Sequence, residues 1–101
     1  MTAYLIVRAE VPDSEHEKFD HWYESEHLPD ALRDFKALSA KRGWSTIDPA
    51  THIAFYEFPD MEAANAILVS DEMKAMVKEF DRVWQDRVFR TRDVMEVAQS
   101  I

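Results

Sequence analysis

Histidine is the side chain that changes charge near neutral pH, and the sequence holds four, at His16, His21, His27 and His52. His27 stands out by its setting, Trp22-Tyr23-Glu24-Ser25-Glu26-His27-Leu28-Pro29. A residue before proline is driven out of helical backbone, while proline suits the first turn of a new helix, so a helix break is expected near His27. A break presents side chains from irregular backbone, where a pocket mouth can be built. An imidazole there, oriented by Glu24 or Glu26, suits general acid or base catalysis, with Tyr23 one turn earlier as a hydrogen-bond partner. The plainer role for His27 is as a cation at a helix C-terminus. His16, between Glu15 and Glu17, and His21, four residues after Glu17, read as surface residues. His52 opens a strand after a turn and is either structural or part of a binding site.

Aromatic residues supply walls for such a pocket. Phe19, Trp22 and Tyr23 share one helical face at i, i+3 and i+4. Arg42 and Trp44 alternate onto one face of a strand, so the arginine can stand at a tryptophan wall and meet an anionic or carbonyl group. The expected site therefore has His27 and Tyr23 as catalytic groups, with Trp22, Arg42, Trp44 and His52 contacting substrate. Most of the other aromatics, among them Phe55, Tyr56, Phe58, Phe80 and Trp84, read as core.

Other chemistries find little support. No two histidines have the i, i+4 spacing that points both at one ion, and there is no cysteine, so no metal site is expected. Gly43 is the single glycine, which excludes a glycine-rich phosphate loop or dinucleotide fingerprint, and no cofactor is expected. A net charge of −8 repels nucleic acid and anionic membrane surfaces. Arg82, Arg87, Arg90 and Arg92 are interleaved with Asp81, Asp86 and Asp93 and read as a solvated ion-pair surface. No apolar run approaches a membrane span. The opening segment reads as a strand, not a signal peptide, so the cytosol is the expected compartment.

The elements that must position these residues follow from periodicity. The 101 residues are one domain's length. Ala3 to Val11 alternates as a strand, and Ser14 with Glu17 has capping-box spacing for the first helix. A short second helix is expected from Pro29 to Asp34. Strands from Phe35 to Ser45 and from His52 to Phe58 flank the turn Asp48-Pro49-Ala50-Thr51. Asp60 caps a helix from Met61 to Val69, and Ser70-Asp71 recaps a longer one carrying Met73, Met76, Val77, Phe80, Val83 and Trp84 on one face. Val88 to Val97 is the last strand. Strand, helix, strand, strand, helix, strand is the α+β ferredoxin-like order, an antiparallel sheet with helices on one face. Both faces of Ile53 to Phe58 are apolar or aromatic, whereas a sheet with one wet face alternates cleanly. Tyr4 and Ile6 on the first strand, and Met95 or Val94 on the last, repeat this, which predicts a homodimer paired sheet to sheet about a two-fold axis.

The run Phe19-Asp20-His21-Trp22-Tyr23-Glu24-Ser25-Glu26-His27-Leu28-Pro29 resembles the pattern of EthD-like proteins in the dimeric α/β-barrel superfamily. Phe80-Asp81-Arg82-Val83-Trp84 and the strand after it are similar to that group's second helix and last strand. The resemblance implies a dimeric barrel, with His27 at the motif histidine and Trp22 and Tyr23 beside it. Relatives include polyketide cyclases and decarboxylases, muconolactone isomerases and cofactor-free or haem-degrading monooxygenases. The expected function is therefore a cofactor-independent enzyme that moves a proton on a small hydrophobic oxygenated molecule, such as a lactone, polyketide or aromatic acid. The alternatives are a non-catalytic module binding the same kind of ligand, and a haem-binding monooxygenase with His27 as axial ligand.

Overall fold

The computed structural model describes residues 1–101. Strand β1 (Ala3–Glu10) leads through a short 3₁₀ turn (Asp13–Glu15) into α1 (His16–Trp22), a π-helical turn (Tyr23–His27) and α2 (Leu28–Phe35). The hairpin of β2 (Ser39–Trp44) and β3 (Thr51–Phe58) follows, then α3 (Met61–Leu68), α4 (Asp71–Trp84) and β4 (Phe89–Glu96). The sheet order is β2-β3-β1-β4 with every neighbouring pair antiparallel. This is the ferredoxin-like arrangement read from the sequence. No helix is long and apolar enough to cross a membrane.

Local chemistry explains most boundaries. Asp60 accepts a hydrogen bond from the Ala63 N–H at 2.8 Å and starts α3, and Ser70 accepts one from the Met73 N–H at 3.1 Å and starts α4. The hairpin turn closes with the Thr51 N–H donating to the Asp48 carbonyl at 2.9 Å. Three expectations are corrected. The capping box at Ser14 and Glu17 is not made, because a 3₁₀ turn occupies Asp13–Glu15 and α1 starts with no side-chain cap. Strand β2 starts at Ser39, not Phe35: Phe35 completes the buried face of α2, and Lys36 ends that helix in left-handed backbone at φ 54°. The helix also does not break at His27, as described below.

One sheet face carries the core. Leu5, Ala54, Tyr56 and Phe58 meet Phe19, Tyr23, Phe35, Phe80 and Trp84 from the helices, all of them buried. The ring of Phe19 lies within 6.2 Å, centroid to centroid, of Trp22, Tyr23, Trp44, His52, Phe80 and Trp84, so α1 is fixed by one residue touching both sheet and α4. The opposite sheet face has no helix over it. Ile6 stands across from Phe55 in β3, Tyr4 across from Met95 in β4, and Ile53 across from Arg8. Phe55 is 39% and Met95 47% exposed on that face.

Candidate active site

The site is built on the wide helical turn. The ring of Pro29 would collide with the carbonyl of Ser25 in a regular α-helix, and its missing N–H would leave that carbonyl without a donor. The chain widens instead of breaking: the Leu28 N–H donates to the Tyr23 carbonyl, five residues back, and the helix continues into α2. The Ser25 hydroxyl donates to the His21 carbonyl at 2.8 Å, supplying an extra partner where the backbone pattern changes. Widening also sets the side chains. Trp22 and His27, five apart, stack with ring centroids 4.5 Å apart at 21°, while Tyr23 meets His27 edge-on at 4.8 Å.

His27 and Tyr23 face a cavity between the sheet and α4. Leu5 and Val7 of β1, Tyr56 of β3, Phe35 of α2, Met73, Met76, Val77 and Phe80 of α4, and Arg90 and Arg92 of β4 complete its walls. The cavity is small, about 30 Å³ in volume. One water needs about 10–15 Å³. A larger occupant must therefore displace side chains; Met76 and Val77 are only half-buried, and Arg92 at the rim is exposed. Methionine is the side chain that repacks most readily.

The polar groups in this apolar space are few. The Tyr23 and Tyr56 hydroxyls are hydrogen-bonded at 3.2 Å. One phenol donates and the other accepts, so the accepting phenol keeps its own O–H free. Burial pushes Tyr23 up to about 12 and Tyr56 well above its ordinary value, so both stay protonated donors. Burial, followed by the positive charge of Arg90, drives His27 down to about 4, while Glu79 opposes this weakly. At neutral pH the imidazole is uncharged. Glu24 and Glu26, the carboxylates expected to orient it, are exposed.

Arg42, Trp44 and His52 form a second cluster, beside α1 and outside the cavity lining. Asp20 Oδ1 accepts from Arg42 Nη1 and from Trp44 Nε1, each at 2.8 Å, and Arg42 Nη1 lies 3.4 Å from His52 Nε2. His16 stacks on Trp44 with centroids 3.8 Å apart. His52 is 1% exposed and, through burial and then Arg42, is also pushed down to about 4. Its ring lies 4.4 Å from that of Tyr23, which links the two clusters. Trp22 backs His27 from behind the cavity wall. No group of three or more histidine, aspartate and glutamate side chains is placed to hold a metal ion.

Arg90 and Arg92 are the cavity residues that sequence reasoning missed. Of the four arginines read as a solvated surface, Arg82 does pair with Glu79 and Arg87 with Glu15. Arg90 is different: its side chain is 15% exposed and its guanidinium lies 3.8 Å over the Phe80 ring. The signal was present in the alternation Val88, Arg90, Arg92, Val94, which puts both arginines on the apolar side of β4.

No family model matches the sequence, and no curated protein sequence matches it. The fold is shared with solved structures along almost the whole chain. A protein of the ethyl tert-butyl ether degradation (EthD) family from Bacillus halodurans superposes with a TM-score of 0.76 at 20% identity, covering 96% of this chain and 99% of that one. SnoaB, a cofactor-independent oxygenase from Streptomyces nogalater, gives 0.70 at 10% identity over 99% and 96% of the two chains. An antibiotic biosynthesis monooxygenase gives 0.66 at 13% identity over 96% and 99%. The chain thus has the ferredoxin-like fold of EthD and antibiotic-monooxygenase proteins.

Proposed function

We propose that this protein is a cofactor-independent enzyme that moves a proton on a small, hydrophobic, carbonyl-containing molecule. What supports this reading is a neutral imidazole, His27, in an apolar cavity beside the phenol O–H that the Tyr23–Tyr56 pair leaves unused. A substrate carbonyl oxygen accepts that O–H. His27 takes the proton from the adjacent carbon as the C–H bond breaks, and the electron pair moves onto the oxygen as an enolate, stabilised by the phenol donor. Return of the proton to another carbon completes an isomerisation; attack by the enolate carbon on a second carbonyl of the same molecule, with the His27 imidazolium giving its proton to the alkoxide that forms, completes a cyclisation. Trp22 holds the imidazole plane by stacking. Two copies pair through their helix-free sheet faces, a reading supported by the apolar stripe of Tyr4, Ile6, Phe55 and Met95.

The test is deuterium exchange at the α-carbon of phenylacetone or 2-cyclohexenone in D2O, followed by NMR. Wild-type protein is expected to accelerate exchange, and His27→Gln to lose about 10²–10⁴-fold of that acceleration. Equal acceleration by both proteins would remove His27 from the mechanism. The low basicity of the buried imidazole favours a second reading, a non-catalytic protein that binds the same ligands. That reading expects binding to survive His27→Gln and no exchange with either protein.

A further inference from the structure

Arg90 has more hydrogen-bonding capacity than the protein uses. Its Nη2 reaches Asp81 Oδ1 at 3.3 Å, but its Nη1 is buried with no acceptor. A buried guanidinium N–H without a partner is costly, and native proteins rarely leave one so. Phe80 covers one face of the group, and Asp81, the single carboxylate at its edge, is an exposed residue of α4. The next cation on the same strand face, Arg92, is exposed at the rim, and its one partner within the protein is the sulfur of Met73, 3.1 Å from its Nη1. A thioether is a weak acceptor. Both arginines line the same cavity as His27, and apart from the Tyr23 and Tyr56 hydroxyls its remaining walls are apolar.

We infer that the cavity takes a small organic carboxylate, its anionic group held by Nη1 of Arg90 with Arg92 as the second cation, and its apolar body against Val7, Met76 and Val77. This deepens the proposed function and rests on its reading of the His27 cavity as the ligand site. A planar guanidinium fixed on an aromatic ring with one free edge is suited to a planar carboxylate. The carboxylate also changes the base. The charged groups acting on His27 are Arg90 from β4 and Glu79 from α4, and His27 in turn acts on His52 of β3. An anion on Arg90 offsets the cation that disfavours protonated His27, so occupancy makes the imidazole a stronger base.

Phenylacetate, phenylacetamide and acetate are the probes, titrated into wild type, Arg90→Gln and the surface control Arg33→Gln, with the His27 ring signals followed by NMR. Phenylacetate is expected to bind wild type and Arg33→Gln at least about tenfold more tightly than phenylacetamide, the gain of one charge-assisted hydrogen bond. Acetate should bind more weakly than phenylacetate, and Arg90→Gln should erase the preference for acid over amide while still binding the amide. Equal affinities of acid and amide for wild type, both shifting His27, would overturn the carboxylate inference and leave the pocket standing. A preference that persists in Arg90→Gln would overturn the role of Arg90, and acetate binding as tightly as phenylacetate would overturn the apolar half of the site. If neither aromatic probe moves His27, the pocket reading fails and the inference with it. Should Arg90→Gln not fold, titration of His27 in wild type decides: its pKa must rise with phenylacetate bound and not with phenylacetamide, and equal values refute the inference.

Discussion

The hydroxyls of Tyr23 and Tyr56, from the π turn and the middle of β3, meet at 3.2 Å inside the core and make one hydrogen bond from two phenols. Tyr23→Phe or Tyr56→Phe alone leaves the other hydroxyl buried and unpartnered, at a cost of about 1–3 kcal/mol. The double change to phenylalanine removes both polar groups while keeping their shape. It should therefore cost less than the sum of the single changes, with a coupling of about 1 kcal/mol in urea unfolding. Strict additivity would mean that the two hydroxyls do not bond in solution.

Stability should begin to fall on mild acidification, before most carboxylates titrate. His27 and His52 are both held down to about 4 in the folded protein. The unfolded chain protonates each near pH 6.5, so between about pH 6.5 and 4 it binds more protons than the native state. Stability from these two groups is complete above that window and is lost as pH falls through it, by up to about 1.4 kcal/mol per pH unit for each histidine. Denaturant unfolding at pH 7.5, 6 and 5 measures this slope, and His27→Gln should halve it.

Asp20 ties α1 to β2 by accepting from Arg42 and Trp44 with a single oxygen. These two hydrogen bonds, Trp44 first, hold its carboxyl below the usual range. Asp20→Ala leaves a guanidinium, with its side chain 14% exposed, without its main carboxylate and 3.4 Å from His52. A loss of about 1–3 kcal/mol is expected, together with changed Trp44 fluorescence as its indole N–H turns to water. An unchanged midpoint and spectrum would show that water replaces the carboxylate without penalty.

Pairing of two sheets predicts that a charge on the helix-free face separates the copies. Phe55→Lys lies opposite Ile6 in the register and should convert a dimer to a monomer in light scattering, with little loss of helix by circular dichroism. A wild-type protein of monomer mass would refute the pairing directly.

Element order was legible because alternation and helical period are strong in this chain. The α4 stripe from Met73 to Trp84 and the caps at Asp60 and Ser70 needed no tertiary information. The π turn was not legible, since the rule that proline stops helices does not say whether the chain will bend away or widen. Phe35 was misplaced in a strand for a related reason: one aromatic residue between a helix and a strand fits the end of either. In the site, His27 and Tyr23 could be picked out by local spacing. Arg90 was harder, because its alternation with Val88 and Val94 is overlaid by charge interleaving that looks the same whether alternate residues face water or a cavity; the register against Ala9 of β1 settles which.

The wide turn has a consequence for chain length. It holds one residue more than an α-helical path between the same ends would need, so the extra residue is taken up in the turn and the helices on either side keep their phase. Each residue turns an α-helix by about 100°. A residue inserted without such widening would rotate α2 by that step and carry Ala31 and Phe35 off the core, whereas deleting Ser25 together with the widening would restore a regular helical path and leave both on it. The stretch from Phe19 to Phe35 therefore carries one residue beyond what the helical path needs, and that residue gives the turn its width.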